Sequence, residues 1–182
     1  MPIPLGILDF PSGGVGAFDW LETTEVTSPA STISFTGLSS TYSDYTHLQV
    51  RAVVKPTVAR SLSMTFNGVT STAYSWRTVR GDGSAVSAQS ATSRSNLQVG
   101  EPVGTTFSAN LYGAYVLDVH DFGSSNKATT IRGILGSNDT PDMVESWSGL
   151  YYASTAAIDE MEFYFNGSTF TGGSRISLYG VK

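Results

Sequence analysis

Apolar and polar side chains alternate one by one along segment after segment of this chain, and each segment stops at a turn. In Thr46–Ala52, the residues Leu48, Val50 and Ala52 fall on one side and His47, Gln49 and Arg51 on the other. Leu62–Phe66 repeats the alternation and ends at Asn67-Gly68, a dipeptide suited to the positive φ of a tight hairpin turn. Tyr115, Leu117 and Val119 alternate with Val116, Asp118 and His120. Met161, Phe163 and Phe165 oppose Glu162 and Tyr164 ahead of Asn166-Gly167, and Ile176–Tyr179 forms a last run. A period of two is that of a β-strand with one face buried. Turn signals at Thr57–Ser61, Gly81-Asp82-Gly83, Gly100–Gly104, Gly123–Asn126 and Asn138–Pro141 separate the runs. About ten or eleven short strands so punctuated predict an all-β, antiparallel β-sandwich or barrel. No stretch holds a 3.6-residue period long enough to make a helix, and the 19 glycines agree with that.

Residues 1–18 break the pattern. Pro2, Pro4 and Pro11, with Gly6, Gly13, Gly14 and Gly16, surround Ile3, Leu5, Ile7, Leu8 and Phe10. Proline and glycine oppose both helix and central strand, so an extended N-terminal arm is expected over 1–18, with a single sandwich domain over 19–182. Its apolar side chains favour burial over solvation. Ile3, Leu5, Ile7, Leu8 and Phe10 are therefore the expected anchors, against a neighbouring subunit, a sheet edge or the same domain.

Charge divides at the same end. The chain carries a net charge of −5, and all ten Lys and Arg lie in residues 51–182, where ten acids balance them. The excess sits in residues 1–50, on Asp9, Asp19, Glu22, Glu25 and Asp44. A nucleic-acid partner is disfavoured, because phosphate binding needs clustered bases. Met1–Leu8 lacks a basic start and is too short to span a bilayer, so neither an export signal nor a membrane partner is expected. Without cysteine there is no disulfide, thiolate metal site or thiol nucleophile.

Motifs for chemistry are sparse. Asp118 and His120 share a strand face but lack a third ligand by spacing, so a solvent face at a strand end is expected and no metal. Asp159-Glu160-x-Glu162 reads as a solvated strand face rather than a glycosidase pair. Arg80-Gly81-Asp82 reads as a turn. Tyr74 and Trp76 share a face, and Trp147 aligns with Tyr151. If exposed, Tyr74 with Trp76 would suit the apolar side of a sugar ring; otherwise such rings fill the core. No catalytic residue and no cofactor are expected, and the chain does not read as an enzyme.

Several segments together carry a resemblance. They are Met1–Leu8, Tyr45–Arg51, Arg80–Gly83, Lys127–Arg132 and Gly173–Gly180, in that order over nearly the whole chain. In combination they resemble small virion structural proteins of tailed bacteriophages, especially phages of aquatic bacteria. The resemblance implies a jelly-roll-like sandwich within the virion and supplies no catalytic residues. It implies first a capsid decoration or cement protein, held on the major capsid protein by the arm and by contacts with copies of itself, as dimer or trimer. The alternative it implies is a tail or fibre-associated protein that binds a host-surface glycan.

Overall fold

The computed structural model describes residues 17–100, 110–137 and 143–182. The expected arm up to Gly16, most of the Gly100–Gly104 turn, and the Asn138–Pro141 turn lie outside the described residues. What is described is two antiparallel sheets and a single helical turn. The strands are β1 (Phe18–Glu25), β2 (Thr32–Thr36), β3 (His47–Val54), β4 (Leu62–Phe66), β5 (Tyr74–Gly81) and β6 (Val86–Arg94). They continue with β7 (Leu97–Val99), β8 (Gly113–His120), β9 (Thr129–Ser137), β10 (Met143–Tyr151), β11 (Glu160–Phe165) and β12 (Arg175–Val181). The helical turn, α1 (Leu38–Thr41), follows β2.

One sheet has eight strands in the order β1-β12-β3-β8-β9-β10-β5-β6, and the other four in the order β2-β11-β4-β7. The all-β sandwich expected from the alternation is what forms; this order does not by itself establish a jelly-roll winding. The alternation also places the core. Leu48, Val50, Ala52 and Val54 of β3, with Tyr115, Leu117 and Val119 of β8, are buried against Met161, Phe163 and Phe165 of β11. These residues belong to one hydrophobic cluster between the sheets. Because eight strands are wider than four, the large sheet overhangs, and β6 has no buried residue on either face. Among the described residues no helix is long and apolar enough to cross a membrane.

Asn67-Gly68 behaves differently from a hairpin. Both residues have positive φ, 50° and 66°, and Val69 N–H donates to the Phe66 carbonyl at 2.9 Å, as in a tight turn. The chain then crosses to β5 in the other sheet instead of returning beside β4. The Asn67 side chain explains this. Its Oδ1 accepts from the N–H groups of Asp159 and Glu160, and its Nδ2 donates to the Ala157 carbonyl, so the turn is fastened to the start of β11.

Close approach to the core demands glycine at several points. A Cβ on Gly180 would lie 2.5 Å from the Tyr45 ring, and one on Gly149 would lie 2.3 Å from the Trp147 ring. Gly180→Ala is expected to cost about 1–3 kcal/mol, the range for forcing an extra methyl group into a packed core. Urea unfolding would show it as a lower midpoint at unchanged slope, and an unchanged midpoint would mean that the Tyr45 ring moves aside freely.

Buried phenols predict an alkaline limit to stability. Burial, reinforced by the hydrogen bond to Asp19 and the charges of Asp19 and Asp44, pushes the Tyr45 hydroxyl up to about 12. Burial likewise pushes Tyr74 up to about 12, against the bond it accepts from Phe66 N–H. Tyr115 is raised by burial and by the nearby Glu145 carboxylate. An unfolded tyrosine ionises near about 10, so above that pH the unfolded chain holds fewer protons than the folded one. Stability is expected to be intact below pH 10 and to fall as the pH climbs toward 12. Urea midpoints at intervals through this window, with tyrosinate absorbance, would check it.

Candidate interaction surface

The outward face of the large sheet is not polar in the way the alternation implies. Register sets its residues in rows that run across the strands. Val53, Ala114, Gly136, Val144, Gly81 and Val86 are successive partners across β3, β8, β9, β10, β5 and β6. The next row is Arg51, Val116, Ile134, Ser146, Val79 and Ala88. Ten large apolar side chains are exposed among the described residues, and six of them lie in these two rows: Val53, Val79, Val86, Val116, Ile134 and Val144. Ile134 and Val144 are each 65% exposed at the middle of the sheet. Isolated exposed aliphatics are ordinary, but six of them drawn into two adjacent rows form a band.

The third row is polar and largely paired within itself. It reads Gln49, Asp118, Arg132, Ser148, Arg77 and Ser90. Arg51 Nε donates to Gln49 Oε1 at 2.9 Å, and Gln49 Nε2 donates to Asp118 Oδ1 at 2.8 Å. Arg132 Nη1 donates to Ser148 Oγ. Side chains that bond to one another along a sheet leave fewer partners to be lost when the face is covered.

At the β1 edge the same face turns aromatic. The Phe18 ring stacks on Tyr179 at 5.1 Å, and the Arg51 guanidinium lies over both rings at 5.2 and 4.8 Å. Trp20 is exposed beside them, its Nε1 donating to Thr23 Oγ1 at 2.9 Å.

Among the residues singled out from sequence, Tyr74 and Trp76 are corrected. Both lie on the inward face of β5 and are buried, because β5, although next to the edge strand, still faces β4 and β7 of the opposing layer. Tyr74 Oη accepts from Phe66 N–H at 3.0 Å and donates to the Val69 carbonyl at 2.8 Å, pinning β5 to the end of β4. Neither ring offers a face to a sugar. Trp147 and Tyr151 are buried in the same core. Ile3, Leu5, Ile7, Leu8 and Phe10 lie outside the described residues.

His120 has a neighbour that spacing did not reveal. Register brings His47 beside it with ring centroids 5.3 Å apart. His47 Nδ1 accepts from Asp121 N–H at 2.9 Å, and the Asp121 carboxylate bonds the Lys127 ammonium. That hydrogen bond, with the Lys127 charge and the two imidazoles, holds the Asp121 carboxyl below its ordinary range. The cluster braces a turn in which Asp121 has a φ of 50°. Among the described residues no group of three or more His, Asp or Glu side chains is placed to hold a metal ion.

Asp159 Oδ1 accepts from both the N–H and the hydroxyl of Ser39, which holds α1 against the start of β11. Glu160 and Glu162 stand opposite the buried Met161 and Phe163, as the alternation implies. Asp82 lies in the β5–β6 hairpin loop and accepts from Ser84 N–H, Ser84 Oγ–H and Ala85 N–H, so Arg80-Gly81-Asp82 belongs to a turn. These bonds lower its pKa.

Set against protein-family models, curated proteins and solved structures, the chain matches none of them.

Proposed function

We propose that this chain is a structural coat component: a bacteriophage capsid decoration or cement protein that lies on the major capsid protein shell and associates with copies of itself. The observation that carries this reading is the band of exposed aliphatic side chains across the outward face, from Val53 through Ile134 to Val86. A broad, shallow, apolar face serves contact with another protein surface better than it serves a small substrate, which needs a concave site. The resemblance of the N-terminal and C-terminal segments to phage virion proteins supports the particle as the setting. In this reading the apolar side chains of residues 3–10 grip the shell, and Asp9, Asp19, Glu22 and Glu25 meet basic groups there. Many weak contacts repeated over a symmetric shell then add up to firm attachment.

Purified particles supply the test. A chain lacking residues 1–16 is expected to bind at a clearly lower copy number than the full chain, and attachment of the full chain is expected to weaken as salt rises. Equal occupancy and equal heat resistance of the particles would overturn the role of the arm. Placement at the tail with glycan binding is the second reading, and the solvent-facing rings Trp20 and Phe18 are what favour it. It expects a glycan-array signal that Trp20→Ala abolishes.

A further inference from the structure

We infer that the outward face of the large sheet pairs with the same face of a second copy, about a two-fold axis running along the strands between β8 and β9. The inference rests on the reading of that face as an interaction surface, and it names the occupant. Counting from either edge, β8 and β9 are the middle strands of the eight. A two-fold along their seam exchanges β8 with β9 and β3 with β10 while keeping each row in place.

The rows are complementary under that exchange. Val116 of one copy meets Ile134 of the other, and Val53 meets Val144, so exposed aliphatic groups cover one another. Ala114 meets Gly136, where small residues let the sheets approach. In the polar row Asp118 meets Arg132, twice by symmetry, and Gln49 meets Ser148. Opposite charges therefore face each other at the centre, and no like charges do. A shift of the axis by half a strand spacing, onto β8 or β9, loses this match, because Asp118 would then meet itself or Arg132 would; a full strand sets Asp118 against Gln49 or Arg132 against Ser148.

The area suffices. With strands about 4.8 Å apart and alternate residues about 6.8 Å apart, eight strands and three rows cover roughly 780 Å², near the 800 Å² per partner of a standard interface. Aligned sheets pack at about 30°, which tilts the axis slightly but preserves the pairing of the four central strands. The isologous geometry is that of the commonest oligomers, cyclic dimers.

The test uses the full chain and charge reversal. Asp118→Arg places Arg against Arg across the axis, and Arg132→Asp places Asp against Asp. Each variant alone is expected to sediment as a monomer at concentrations where the parent is dimeric, with at least a tenfold weaker self-association. Mixed in equal amounts, the two restore both opposite-charge pairs, and a heterodimer is expected. That rescue in trans also shows that both variants are folded, and it reports contact between copies, because each chain in the mixture keeps its own like-charged pair at 118 and 132. A parent chain that stays monomeric, a trimer, or a mixture that fails to associate would overturn the pairing. Occupancy on particles reports separately: binding retained without pairing would leave the coat reading intact, and pairing without particle binding would remove the coat reading alone.

Discussion

Trp147→Ala is expected to lose about 3–5 kcal/mol of folding stability, the largest single-residue effect in this chain. Trp147 is 2% exposed on the inward face of β10. Its Nε1–H donates to the Gln98 carbonyl at 2.8 Å, so one side chain links the eight-stranded sheet to β7 of the four-stranded one. Its ring also occupies the space that Gly149 leaves by having no side chain. Alanine would remove the ring, open a cavity between the layers and strand the Gln98 carbonyl. Trp147→Phe separates these contributions: it restores most of the volume and leaves only the unpaired acceptor, for a loss of about 1–3 kcal/mol. Denaturant unfolding of both variants would measure this. Equal losses would place the whole effect in the hydrogen bond.

The second large effect is on association and leaves folding alone. Replacing both Ile134 and Val144 by lysine is expected to weaken self-association by about ten-thousandfold. Each side chain stands to gain about 1.5 kcal/mol on burial, and because the dimer carries each change in both copies, losing four amounts to about 6 kcal/mol. Both are 65% exposed in the free chain, so folding stability is expected to change by less than about 0.5 kcal/mol. Sedimentation equilibrium and urea unfolding, run on the same preparation, separate the two quantities. Association unchanged by the double substitution would mean that copies meet through some other surface.

These two expectations depend on different kinds of information. The inward set could be read directly, because a buried face must be apolar at every second residue: Leu48, Val50 and Ala52 declare β3, and Met161, Phe163 and Phe165 declare β11. Short or weakly patterned strands were harder to read. β7 has three residues, and β6 (Val86–Arg94), an overhanging edge, buries no residue fully on either face, so no alternation was imposed on it. The turn at Asn67-Gly68 was legible as a turn but not as a crossover, since its destination depends on bonds from Asn67 to residues about ninety positions away.

The outward band was only half visible. Val116 and Ile134 occupy polar-parity positions, each a single local exception to the alternation of its own strand. Tyr74 and Trp76 show the reverse difficulty: alternation established that they share a face, and nothing in it said which face.

By itself, then, the chain determined that it would form antiparallel strands, where most of them lie and which residues move together, because the two-residue period is a local property of the backbone. It also determined that the excess negative charge belongs to the first 50 residues. Only the tertiary structure decided which strands are neighbours, and so only it could line up Val53, Val116, Ile134 and Val144, or set Asp118 beside Arg132. The physical reason is that inter-strand register is fixed by packing against the opposing sheet and by side-chain clasps such as that of Asn67, and both join residues far apart in the sequence.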